Sequence, residues 1–99
     1  MGDRGNIKIG GVYLYTHWAG SEISQILRDA LKRGRSRWTD ESYLARIIFC
    51  EMIKHDVMGT TGYGISTEII DNEHDILEVN CDKQTVNGIS FKEFIGDEV

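Results

Sequence analysis

Two adjacent glycines, Gly10 and Gly11, stand between the runs NIKI and VYLYTH. Both runs alternate apolar with polar or aromatic residues, and a two-residue glycine turn between alternating runs is the mark of a β-hairpin, because such a turn needs positive φ. The turn sets a register: Ile9 opposite Val12, Lys8 opposite Tyr13, Ile7 opposite Leu14, Asn6 opposite Tyr15 and, further out, Arg4 opposite His17. Side chains alternate between the faces of a strand, so Ile7, Ile9, Val12 and Leu14 share the core side. Arg4, Asn6, Lys8, Tyr13, Tyr15 and His17 share the other, an aromatic and polar surface. Parity puts Trp18 on the apolar side, where a core anchor is expected.

The hairpin leads into helical spacing. Ser21 is the expected N-cap of a helix carrying Ile23, Ile26, Leu27, Ala30 and Leu31 and ending at Gly34. After the connector RGRSRW, Thr39 is expected to cap a second helix, with Asp40 and Glu41 in its first turn as the helix dipole prefers. Tyr43, Leu44, Ile47, Ile48 and Met52 form one apolar stripe, widened by Ala45, Phe49 and Ile53, so this helix is expected to be central and largely buried.

The segment VMGTTGYGISTE breaks the helix with Gly59, Gly62 and Gly64. Free backbone amides beside Thr60, Thr61 and Ser66 suit an anion nest, although no lysine follows the glycines as a phosphate-binding P-loop requires. Tyr63, between two glycines, is an aromatic placed for contact. GISTEII and ILEVNC then read as strands joined by the acidic turn DNEHD, taken as a solvated hairpin tip. A short strand is expected around Gln84 to Val86, before Asn87-Gly88. SFKE fits a capping box opening a last short helix with Phe91, Phe94 and Ile95, and the closing GDEV is expected to fray.

This order predicts one α+β domain over 1–99: a two-layer sandwich of an antiparallel sheet with the two main helices packed on one face, closed by a short helix. Ninety-nine residues suffice for one such core, and 40% hydrophobic with 27% charged residues is ordinary for a globular chain. No apolar run reaches the length of a membrane helix or resembles a secretory leader, so a cytoplasmic protein is expected. Cys50 and Cys81 lack metal or redox spacing and are expected to be buried free thiols, and the three scattered histidines give no zinc pattern. No cofactor is expected. Through residue 60 the chain carries nine Lys and Arg against seven Asp and Glu, a balance of +2; the remainder carries two against nine, a balance of −7, and together these give the net −5. Net acidity argues against general nucleic-acid binding. Opposite patches on one small domain suit a homo-oligomer.

The segments MGDRGNIKI, VYLYTHWAGSE, RWTDESYLARIIF and GTTGYGIS resemble a group of small bacterial and phage-type proteins that open with a Met-Gly-x-Arg strand and a Tyr-x-His-Trp turn. The resemblance covers roughly the first two thirds of the chain and implies no catalytic residue. It directs attention to Arg4, His17, Trp18 and the GTTGYG loop.

A sheet face carrying aromatics and unmatched by a second layer calls for a partner. The expectation is therefore a non-enzymatic binding protein holding an anionic small molecule such as a nucleotide through Arg4, Tyr13, Tyr15, His17, Trp18, Thr60, Thr61 and Tyr63. The alternatives are a module using that face on a protein partner, and a small hydrolase or transferase with His17 as general base.

Overall fold

The computed structural model describes residues 2–96. Strands β1 (Gly5–Ile9) and β2 (Val12–Thr16) form the hairpin, with Gly10 at φ 61° and the register Ile9↔Val12 through Asn6↔Tyr15 as the sequence predicts. A short 3-10 turn, Gly20–Glu22, leads into helix α1 (Ile23–Arg33), and a second, Arg35–Arg37, leads into α2 (Glu41–Ile53). There follow β3 (Tyr63–Ser66), β4 (Leu77–Asn80), β5 (Thr85–Val86), β6 (Ile89–Ser90) and the short helix α3 (Phe91–Phe94). The expected fraying of GDEV concerns Asp97, Glu98 and Val99, outside the described residues.

The α+β sandwich stands, but its sheet is mixed rather than antiparallel. The strand order is β3-β2-β1-β4-β5-β6, with β4 parallel to β1. β3 and β4 therefore do not form a hairpin. They lie on opposite sides of the β1–β2 pair, and residues 67–76 carry the chain between them.

That crossover overturns the reading of DNEHD as a solvated tip. Asn6, on the face away from the helices, is fully buried, and its Nδ2 donates to the Asp71 carbonyl at 2.7 Å and to Asn72 Oδ1 at 3.2 Å. The Arg4 guanidinium pairs with Asp71 (2.6 Å) and Glu73 (3.1 Å), while the Glu73 amide donates to the Arg4 carbonyl. The acidic segment is thus strapped across one end of the outer face, leaving Lys8, Tyr13 and Glu78 toward the other.

The core lies between the sheet and the helices. Ile7, Ile9, Leu14, Leu77, Val79 and Val86 from the strands meet Leu27, Leu31, Leu44, Ile48 and Phe91 from the helices, all buried. Each such side chain, fully withdrawn from water, contributes about 1.5–3 kcal/mol. Trp38, at the end of the connector, packs edge-on to Phe91 at 5.2 Å and donates its Nε1 proton to the Leu31 carbonyl at 2.9 Å, so one indole ties α1 to α3.

Local details depart from expectation at three points. The Ser21 hydroxyl donates to Asp3 Oδ2, and the α1 cap position falls on Glu22 without a side-chain bond. Asp40 rather than Thr39 caps α2, accepting from the Tyr43 amide at 3.3 Å. Cys81 is buried but Cys50 is exposed, because it lies on the α2 face turned from the core. Ser90 caps α3 as expected, and β5 and β6 turn through Asn87 and Gly88, both at positive φ. Among the described residues no helix is long and apolar enough to cross a membrane.

Candidate functional site

The segment following β2 does not continue the strand's alternation. Thr16 Oγ1 accepts from the amides of Trp18 (3.3 Å) and Ala19 (3.1 Å), a side-chain turn that competes with the β ladder and ends it. Trp18 consequently leaves the core side expected for it and stands 49% exposed.

Its position is nevertheless fixed. The His17 ring meets the indole edge-on at 4.9 Å, and His17 Nδ1 lies 2.8 Å from the Tyr15 hydroxyl. The His17 amide donates to the Gly62 carbonyl at 2.8 Å, which draws the glycine-rich loop against the β2 end. Gly62 sits at φ 92°, and a Cβ there would come within 3.3 Å of the indole. Trp18 is clamped between an imidazole and a backbone that only glycine suits.

The clamped indole forms one wall of a groove of about 420 Å³, with Tyr63 as another, Ile26 and Met52 among its apolar lining, and Glu22, Asp29, Glu51, Lys54 and His55 among its polar groups. Such a volume is within the range of small-molecule sites. Glu51 is 9% exposed and is matched by Arg33 at 3.1 Å and Lys54 at 2.6 Å. Asp29 accepts from Gln25 at 2.9 Å.

The residues singled out from the sequence are only partly brought together. Tyr15, His17 and Trp18 form one chain of contacts, and Trp18 and Tyr63 share the groove. Burial of Tyr15 raises its hydroxyl pKa, and Asp71 adds to the effect. Tyr13 lies on the outer face under Lys8 Nζ, 5.5 Å from its ring centre. Thr61 lines a separate hollow of about 150 Å³ on the far side of Tyr63, and Thr60 is exposed on the loop. Arg4 is turned into the acidic crossover, where Glu73 chiefly raises its pKa and it in turn lowers that of Glu73.

From the sequence, Glu22 is expected only as an aid to His17 in the hydrolase alternative, and Gln25, Ile26 and Asp29 were missed as site residues. Their signal was the helical spacing that sets them, with Glu22 at the α1 cap, on one face beside Trp18. A second polar cluster, beneath the hairpin end, joins distant segments: Asp3 accepts from the Ser21 hydroxyl (2.6 Å) and amide (3.0 Å) and lies 2.6 Å from His74 Nε2. These bonds, led by the Ser21 hydroxyl, hold the Asp3 pKa down to about 2. Among the described residues no group of three or more His, Cys, Asp or Glu side chains is arranged to hold a metal ion. Compared with models of known protein families, with curated proteins and with solved structures, the chain matches none.

Proposed function

We propose that this is a small binding protein whose ligand is a flat group bearing positive charge or hydrogen-bond donors, held in the groove between Trp18 and Tyr63. The carrying observation is the half-exposed indole, clamped by His17 and Gly62 over a concave, carboxylate-bearing surface. An aromatic face that does not need to be ordered on binding loses little entropy and offers a cation about 0.5–2 kcal/mol.

The sign of the ligand follows from the charges around the groove. Arg33 and Lys54 both direct their charge to Glu51, which leaves Glu22, Asp29 and His55 as the other carboxylate and imidazole side chains of the groove. A phosphate would meet carboxylates there. Arg4, the cation an anionic ligand would have needed, is already engaged by Asp71 and Glu73. The binding role expected from the sequence is therefore kept, with its site moved to the α1 side of Trp18 and the charge of its ligand reversed.

The test is a fluorescence titration of Trp18 with three probes: an aromatic amine, an uncharged nucleoside and a nucleoside monophosphate. The expected result is saturable quenching ordered amine, nucleoside, monophosphate, abolished by Trp18→Ala and weakened by Asp29→Asn. Tightest binding by the monophosphate, or quenching that survives Trp18→Ala, would overturn the reading.

A further inference from the structure

We propose that β3 pairs antiparallel with β3 of a second copy about a two-fold axis, joining two six-stranded sheets into one. This goes beyond the ligand groove and does not depend on it.

The first ground is the backbone. β3 is an edge strand, with β2 on one side only. The His17 amide bonds to the Gly62 carbonyl, so His17/Gly62 is a hydrogen-bonded pair of the antiparallel ladder. Such pairs alternate with non-bonded ones, which makes Tyr15/Gly64 and Tyr13/Ser66 bonded and Thr16/Tyr63 and Leu14/Ile65 non-bonded. Tyr63 and Ile65 therefore turn their N–H and C=O groups away from β2, toward the open edge.

The second ground is that this edge carries none of the usual guards. Natural sheets protect edges with charge, proline or brevity. The other edge, β6, is two residues long. The stretch TTGYGIST around β3 holds no charged residue, in a chain that has no proline and a net charge of −5. Two copies can approach along it without placing charge against charge.

Apolar surface accompanies the edge. On the helix side two hollows, of about 300 and 150 Å³, share Phe49; the first is apolar but for Arg46 at its margin and is lined by Ile65, and the second is mixed, with Asp56 and Thr61 beside Val57 and Tyr63. Of the eight large hydrophobic residues left exposed among the described residues, Val57, Met58, Ile65, Ile69 and Ile70 all fall between positions 57 and 70. Summed over these five side chains the exposed area is on the order of 500 Å², against the roughly 800 Å² each partner gives to a standard interface.

The occupant follows from self-complementarity. Pairing Tyr63 with Ile65 of the second copy satisfies the outward groups of both strands and sets Gly64 opposite Gly64, where neither copy has a side chain. Ile65 faces the helix side, as its partner Leu14 does, so each Ile65 comes to lie beside the other copy's Tyr63, near Val57 and Phe49. The same contact is made twice.

The experiment has two arms. Sedimentation of the wild type from 1 to 200 µM should give twice the 11.2 kDa chain mass, whereas Ile65→Lys, at a side chain 59% exposed, should give a monomer with unchanged circular dichroism. The register is read separately by Gly64→Cys in a Cys50→Ser background. A Cβ at Gly64 meets nothing within 4 Å, and facing residues of a non-bonded pair lie at disulfide distance. Mild oxidation should convert that variant to a covalent dimer. A wild type that stays monomeric throughout, a dimer indifferent to Ile65→Lys, or a Gly64→Cys variant that does not cross-link would each overturn the proposal, including the case in which the edge serves a strand of another protein.

Discussion

Gly62 and Trp18 are in contact through the absence of a side chain: a Cβ on Gly62 would sit 3.3 Å from the indole Nε1 and Cε2, on a backbone at φ 92°. Gly62→Ala must both strain the loop and push the indole. The expected cost is about 1–2 kcal/mol from the left-handed backbone, read by urea unfolding, together with a changed Trp18 emission and weaker amine binding.

The two tryptophans should separate spectroscopically. Trp38 is buried against Phe91, and Trp18 is half exposed. Trp38→Phe removes the bond to the Leu31 carbonyl and leaves a gap beside Phe91, at an expected loss of about 2–3 kcal/mol. The variant's remaining emission should be red-shifted and readily quenched by iodide; a blue, protected signal would contradict the assignment of Trp18 to the surface.

Stability should respond to acid through Asp3. Its folded pKa of about 2 lies below the ordinary 3.8. The carboxylate therefore stabilises the fold above 3.8, and that contribution is lost as pH falls from there toward 2. Asp3→Asn should lower Tm at pH 7, and its melting curve should converge on the wild type's through that window. A Tm difference that is undiminished between pH 4 and pH 2 would rule out the carboxylate as its source.

The thiols should react in order. Cys50 is exposed, whereas burial first, with Glu41 and Asp82 adding to it, pushes the Cys81 thiol up to about 11. Iodoacetamide at pH 8 should label Cys50 within the native protein and reach Cys81 only on unfolding, which peptide mass mapping would show.

Much of the fold was legible where the determinants are local. Gly10-Gly11 fixes its hairpin because two residues set the register of ten, and Ser90 caps α3 through a bond spanning three positions. Trp18 was misread for an equally local reason that composition hides: the Thr16 hydroxyl takes two amides and stops the alternation. The acidic crossover was misread for a non-local one. Five polar residues in a row read as solvated, yet their neighbours are Arg4 and Asn6, and nothing within the segment says so. The groove was half legible, in Trp18 and Tyr63; its carboxylates became visible only once α1 and α2 lay side by side.

The parallel pairing of β1 with β4, Ile7 against Leu77, bears on how the chain is made. The hairpin, both helices and β3 involve only the first two thirds of the sequence, and they can assemble while the remainder is still being synthesised. The inner edge of β1 then waits, open, for a strand some seventy residues downstream. Closing so long a loop is the slow step in such topologies, so the residues from Leu77 onward are expected to dock last. The interval before they do is when a nascent chain of this design is most exposed to joining the wrong neighbour.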